Sequence, residues 1–570
     1  MEVRTQSVQD LGGLPDLYEA SIAELQEGLE RRAFTSVDLV KAYLARIDEV
    51  NLNGPALRAI IETNPQALSQ ARALDLERRL KGARGPLHGI PIIVKDNIAT
   101  LHSEGMNTTA GSFALLGSVV PRDATVAAKL RAAGAIILGK ANLSEWAHFR
   151  GNVPSGWSGR GGQATSPYVP LGDPSGSSSG SGIGTAIGLA AGSLGSETDG
   201  SIVSPSQRNN LVGIKPTVGL TSRAGVVPIS VHQDTVGPMC RSVADAATIL
   251  TVIAGRDPLD NFTLAQPPVV PDFTKALNKN ALSGARLGVL RGLVSRNANV
   301  AAAFNASLDT MRGLGATIVD PADFPDLQEF LASDNETIVL NTDFKVDVKN
   351  YIDGLLQVPT GVTNLADLIA FNNEHADVEL VPPFWTSQSD FLAAENTTVD
   401  QAYFDALAAD MDLGRTRGID GALKKFNVDA LVLPTDQASG PAAIAGYPVV
   451  TVPLGFQPPN TPLSTAQPTR SMGPNMPFGL SFTGTAFSEF KLISFAFAYE
   501  QATQTRLQQL AFADAIPKTQ LKDVIGNAEW MPRVDVLIGT FEEKQDDSEH
   551  GESVVIGQRS EHMDDLTKSP

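Results

Sequence analysis

One stretch of this chain, from Gly176 to Lys215, restricts its fold more than any other. It reads G-S-S-S-G-S-G, then an Ala/Gly-rich run, then G-S-E-T-D-G-S-I-V-S-P and G-I-K-P-T. Glycine allows positive φ and close backbone approach, and successive amides in such loops can all point inward. A concave ring of N–H groups suits a developing oxyanion. The small, helix-compatible residues of 182–192 predict a short helix whose amino end meets the Ser177–Ser179 loop, where free N–H groups favour negative charge. Ser201, followed by Ile202-Val203-Ser204-Pro205, predicts a second loop-to-helix turn.

Such loops need a rigid support, and 570 residues with 42% hydrophobic side chains can bury a large core. The single cysteine, Cys240, excludes an intramolecular disulfide framework and any CxxC site, and reads as a small buried residue. A net charge of -19 argues against a nucleic-acid partner. The chain has no run of 18 apolar residues, so no transmembrane helix or membrane partner is expected. Met1–Leu14 is polar and lacks the apolar segment of a secretory signal, so the expected location is cytoplasmic. Seven histidines without metal-ligand spacing imply neither a metal site nor a cofactor.

Read in order, Ser21-x-x-Glu24 is a capping box before Ile22, Leu25 and Leu29. Ser36 starts a second helix carrying Leu39, Val40, Tyr43, Leu44 and Ile47, and Asn64-Pro65 a third that ends at Lys81-Gly82. Ile90–Val94 is a short β-branched run bounded by Gly and Pro, which predicts a buried strand with Lys95 at its end. A helix with Val126 and Leu130 and a strand at Ile136–Leu138 follow, which predicts α/β layering with both sheet faces covered. Leu287–Leu290, Thr317–Val319, Leu431–Leu433 and Val449–Val452 are further strands, and Leu492, Phe495, Tyr499 and Ala502 mark a late helix. The stretch 326–410 is mostly helical, an insert over one face. From about Lys518 the core signal fades, and Phe541–Pro570 is an acidic, Ser-rich tail of disordered composition.

Amide hydrolysis needs a nucleophile, a proton carrier, a donor for the leaving nitrogen and an oxyanion hole. Ser201 with the backbone N–H groups of Thr198–Ser201 can supply the first and the last. Lys95 can serve as base only if neutral, and its ordinary pKa near 10.4 leaves it charged at pH 7 unless burial lowers it. Gly176-Ser-Ser-Ser-Gly180 fits G-x-S-x-G, but the loop-like Ser166–Pro174 stands where the hydrophobic strand of a nucleophile elbow belongs. Gly134–Lys140 looks like a phosphate loop, but Ala141 replaces the Ser/Thr that binds Mg²⁺. Against all of this stand plainer readings, a Gly/Ser linker and a solvated lysine. The residues alone leave the choice open.

Together, Gly89-Ile-Pro-Ile-Ile-Val-Lys95-Asp, Gly139-Lys-Ala-Asn-Leu-Ser-Glu145, Gly176-Ser-Ser-Ser-Gly180, Gly195-Ser-Glu-Thr-Asp-Gly-Ser201-Ile and Gly213-Ile-Lys-Pro-Thr217 resemble the amidase signature family. The likeness continues through Asp234-Thr-Val-Gly-Pro238, Gly446-Tyr-Pro-Val-Val-Thr-Val-Pro453 and Pro477-Phe-Gly-Leu480. It implies a three-layer α/β/α fold around a large mixed sheet. It also implies a Ser–cis-Ser–Lys triad in which Ser201 is the nucleophile, Ser177 the bridging cis-serine and Lys95 the base. The amides of Thr198, Asp199, Gly200 and Ser201 match the oxyanion loop, and Ser178 is a decoy. Ser155-Gly-Trp-Ser158, Gly161-Gly-Gln163 and Asp343-Phe-Lys345 look closest to bacterial peptide amidases and their fungal relatives. Two departures are Ser166 in place of Asn, and Asn210 in place of a Gly, where Asn tolerates the left-handed region.

The resulting expectation is an arm over 1–16, one amidase domain over 17–515 with the insert at 326–410, and a tail over 516–570. The function implied is cofactor-free hydrolysis of a small or peptide amide through an acyl-enzyme. The alternatives are an ammonia-supplying amidotransferase subunit of a tRNA-dependent complex and a non-catalytic scaffold relative.

Overall fold

The capping box forms as its spacing requires. Ser21 Oγ accepts from the Glu24 amide, and the Glu24 carboxylate accepts from the Ser21 amide, opening α1 (Ile22–Glu30). In this computed structural model, which describes residues 13–526, α2 (Ser36–Val50) carries a second such box on Thr35 and Asp38. The third helix, α3 (Ala67–Lys81), starts just after Asn64-Pro65 and stops at Gly82 with φ of 85°.

The strands in chain order are β1 (Ile60–Thr63), β2 (Pro91–Lys95), β3 (Ile136–Ala141), a two-stranded ribbon of β4 (Trp157–Ser158) and β5 (Gly162–Gln163), β6 (Gly192–Glu197), β7 (Val212–Lys215), β8 (Thr235–Cys240), β9 (Arg286–Val289), β10 (Thr317–Val319), β11 (Ala430–Pro434), β12 (Val449–Phe456) and β13 (Pro477–Thr483). All but the ribbon join one mixed eleven-stranded sheet, ordered β1-β3-β2-β6-β8-β7-β12-β13-β11-β9-β10. Parallel pairs (β2 with β3 and β6; β9 with β10 and β11) flank an antiparallel middle. Helices α4 (Thr125–Ala132), α5 (Ser179–Ala186), α6 (Val203–Arg208), α7 (Val243–Ile253) and α8 (Ala298–Gly313) cover it. Side chains alternate across the sheet: Val432 and Val450 enter the large core, while Leu431, Leu433 and Val449 enter a second one. That is the α/β/α layering expected of a sheet buried on both faces.

The helical stretch also forms, as α9 (Leu327–Ala332), α10 (Asn335–Asp353), α11 (Leu365–Glu374), α12 (Ala376–Glu379), α13 (Ser389–Glu395) and α14 (Gln401–Met411). Phe344, Val348 and Ile352, four residues apart, make one stripe on α10. They pack with Phe371 and Phe391 against Ala110, Phe113, Trp146, Val227 and Ile229. Those partners belong to loops at the strand ends, so the insert sits on that edge and not on a face; the faces already carry helices. Beyond it come α15 (Asp420–Phe426), α16 (Ser439–Ala445), α17 (Glu489–Thr503) and α18 (Leu521–Val524). Leu521 and Val524 are buried in the large core, so the packed chain continues past Lys518. Most of the expected arm, and the tail from residue 527, lie outside the described residues. No helix among the described residues is long and apolar enough to cross a membrane.

Five strands of the sheet were not expected: β1, β6, β7, β8 and β13. The case of β6 is instructive, since Gly192-Ser-Leu-Gly-Ser-Glu197 has no β-branched residue. Its composition is set by crowding. A Cβ at Gly195 would lie 2.8 Å from Ser178 Oγ and 2.9 Å from Met239 Sδ, and one at Gly192 would lie 2.9 Å from Ile249 Cδ1.

Candidate active site

Sheet topology gathers the site. Strands β2, β3, β6 and β7 run in one direction and β8 in the other. The carboxyl ends of the first four therefore meet the amino end of β8 at one edge, where open α/β sheets bind ligands. Lys95, Asn142–Glu145, Ser196–Ser201, Lys215 and Asp234 all arrive there. Lys140 arrives too, but it is fully buried and donates to the carbonyls of Ile98 and Asn107 and to Thr108 Oγ1. It is a structural strut, and the phosphate-loop reading has no support.

Lys95 is fully buried, not solvated, and its Nζ lies 2.7 Å from Ser177 Oγ. Two further acceptors complete the shell, the Ser196 carbonyl at 3.1 Å and Ser196 Oγ at 3.0 Å, the latter also bonded by Asn97 Nδ2 at 2.9 Å. Burial pulls the ammonium down to about 7, while the carboxyls of Asp234 and Glu197 push it back up. A neutral lysine amine has two N–H donors and one lone pair. With Ser196 taking both donors, the lone pair is left for the Ser177 hydroxyl.

The Gly176–Ser177 peptide bond is cis. Ser177 O accepts from the Ser144 amide at 3.0 Å, which seats the loop on the Asn142–Glu145 segment. Next to it, the Ser178 amide donates to the Ser201 carbonyl at 3.2 Å, so the backbone of Ser201 lies against the Ser177–Ser178 turn. Ser177 is fully enclosed whereas Ser201 keeps 7% of its surface, so a molecule entering from solvent meets Ser201 first. Ser178 turns away: its Oγ donates to the Ser196 carbonyl at 3.2 Å and is fully buried. The decoy is structural.

Ahead of Ser201, Gly200 takes φ of 85°, which lets the 198–201 turn close tightly. Glu197 Oε2 accepts from the amides of Ile202 and Val203 at 2.6 and 2.8 Å, so the first turn of α6 is capped by the strand that precedes it. Thr198 Oγ1 donates to Asp234 Oδ1 at 2.6 Å, and Asp234 Oδ2 accepts from the Ile229 and Ser230 amides. With these ties made, the amides of Thr198, Asp199, Gly200 and Ser201 donate to no acceptor among the described residues. Four successive N–H groups without a protein partner are rare in folded proteins.

Every residue of the sequence-derived constellation thus lies at one edge. Sequence reasoning missed the holders: Ser196 and Asn97, which fix Lys95, and Glu197, which frees the turn by capping α6. Both Ser196 and Glu197 sit inside a quoted motif, but only the β6 end shows which way they point. Asn210, the departure noted above, takes φ of 58° and keeps the turn.

A sequence profile of the family described as Amidase matches residues 38–493. The chain is 42% identical over 539 residues to a putative amidase of Arthroderma benhamiae, covering 90% of each. It is 43% identical over 514 residues to a probable amidase of Arabidopsis thaliana, covering 89% of this chain and 94% of that one. Among solved structures it is similar to the native peptide amidase of Stenotrophomonas maltophilia, with a TM-score of 0.78, 41% identity, and coverage of 88% of this chain and 99% of that one.

Proposed function

This chain belongs to the amidase family and is an amide-hydrolysing enzyme, and from that premise we propose that it works through Ser201, Ser177 and Lys95 by way of an acyl-enzyme. The observation that carries this reading is the buried Lys95 amine, lowered to about 7 and bonded at 2.7 Å to Ser177 Oγ. In the neutral enzyme the Ser177 hydroxyl donates to Lys95 Nζ and its oxygen can accept from the Ser201 hydroxyl. As Ser201 Oγ bonds to the amide carbon, its proton passes to Ser177 and the Ser177 proton passes to Lys95. The carbonyl π-electrons move onto oxygen, which the free amides of Thr198–Ser201 receive as an oxyanion hole; one such donor is worth about 10²–10³ in rate. The C–N bond then breaks as the proton returns through Ser177 to the leaving nitrogen. Water repeats the sequence on the ester and releases the acid.

Resemblance to a peptide amidase supports the C-terminal amide of a peptide, or a small aliphatic or aryl amide, as substrate. Mass spectrometry after fluorophosphonate treatment tests the mechanism. One adduct per chain on Ser201 is expected, lost in Ser201→Ala and in Lys95→Ala; an adduct on Ser178, or full labelling without Lys95, would sink the assignment. The amidotransferase alternative requires partner subunits, so a monodisperse, active chain on gel filtration removes it.

A further inference from the structure

Three carboxyl groups, one on the turn before Ser201 and two on helices that pack around it, form no ion pair with a described residue. Asp199, two residues before Ser201, is exposed, and its carboxyl reaches Ser439 at the start of α16. Glu336, in the first turn of α10, accepts from Gln233 Nε2 at 2.7 Å. Gln233 precedes Asp234, which holds Thr198, so Glu336 is tied within a few bonds of the same turn. Asp410, near the end of α14, comes from a third element, since α14 packs on α10 and on α16. Glu336 lies within electrostatic range of both Asp199 and Asp410.

Asp410 is the anomaly. It is only 3% exposed, it accepts no hydrogen bond from any described residue, and its Oδ2 is shut off from solvent. A carboxyl buried without a donor or a counter-charge is costly, and folded proteins avoid it. No described Lys, Arg or His forms an ion pair with any of the three. Lys215, which acts on Asp199, is itself buried and donates to the Ala442 and Tyr447 carbonyls. Burial lifts Glu336 to about 8, with Asp199 and Asp410 adding to the lift, and lifts Asp410 to about 7. Among the described residues no His, Cys, Asp and Glu side chains converge tightly enough for a metal ion. Counter-charge for carboxyls set on three separate elements would come from an organic cation and not from a metal ion.

We propose that Asp199, Glu336 and Asp410 form a cation subsite beside Ser201, and that the preferred amides of this enzyme carry a primary ammonium group. The inference rests on Ser201 as nucleophile. It adds the chemical class of the substrate: an ammonium group on a short aliphatic arm, seated among the carboxyls while the amide carbon lies at Ser201.

The full chain is assayed at pH 8 with N-acetyl-lysinamide and N-acetyl-norleucinamide, which differ by the ammonium alone. The expected preference in kcat/KM for the cationic amide is about tenfold or more, as a charge-assisted hydrogen bond gives. Glu336→Gln and Asp410→Asn, both near-isosteric, each shrink that ratio, and the double variant brings it close to one. In parallel, n-butylammonium should slow fluorophosphonate labelling of Ser201 in the wild type but not in the double variant, with n-butanol inert in both. Equal kcat/KM for the two amides, or a ratio or protection unmoved in the double variant, overturns the subsite while leaving Ser201 in place. A wild type that takes no fluorophosphonate on Ser201 overturns the parent reading as well.

Discussion

At the scale of single residues, the chemistry depends on the protonation of Lys95. Its ammonium is lowered by burial to about 7, so a base that must be neutral becomes available as pH rises through that value. We expect kcat/KM to fall tenfold per pH unit on the acid side, with a limb near pH 7. Asp234 opposes the shift, so Asp234→Asn removes negative charge near the amine and moves the limb to lower pH. Lys95→Arg keeps the charge but cannot release its proton, and should cut turnover by about 10²–10⁴. A pH–rate profile that ignores Asp234→Asn, or an active Lys95→Arg enzyme, would place the base elsewhere.

At the scale of elements, the demand falls on β6 and the two turns that flank it. The strand has to bring Ser196 to Lys95 while α5 lies directly over it, and only glycine fits at position 195. Gly195→Ala places a methyl against Ser178 and Met239, an overpacking that costs about 1–3 kcal/mol. Denaturant unfolding should register that loss, together with a fall in fluorophosphonate labelling as the Ser177–Ser178 turn is displaced. Gly85→Ala, where a Cβ meets nothing within 4 Å, is the matched control and should be neutral.

At the scale of the whole molecule, the helical insert is clasped to the sheet edge by a buried polar knot. Arg150 donates to Glu145 Oε2 at 2.5 Å and to the carbonyls of Glu379, Trp385 and Ser387. Glu379 Oε1 accepts from Ser112 Oγ and the Phe113 amide. The two carboxyls face each other, and burial first, then Glu379, raises the Glu145 carboxyl well above its usual range. A carboxyl raised on folding gives stability that is full below its unfolded pKa and is lost as pH rises through the folded one. The insert should therefore be most firmly held in mild acid and loosen as pH rises. Glu379→Gln offers a permanent N–H to Glu145 and should flatten that slope in denaturant titrations between pH 4 and 8. An unchanged slope would place the proton elsewhere.

The order of chemistry along this chain was legible without coordinates, because local rules write it locally. Glycine and serine fix the loops, a β-branched run ending in Lys95 marks a strand, and Ser21-x-x-Glu24 marks a cap. Helical content over 326–410 was equally plain from its pattern. What folding decided was non-local. That Lys95 is buried, and so can be neutral, follows from β3 and β6 pairing on either side of it. β6 itself was invisible, since its small residues answer to α5 and α7 and not to strand propensity. The insert's place at the strand ends, and the meeting of Glu145 with Glu379 and of Gln233 with Glu336, join residues more than a hundred positions apart. Propensity and spacing act within a few turns of the chain. Burial and charge act through space, and only the packed structure sets those distances.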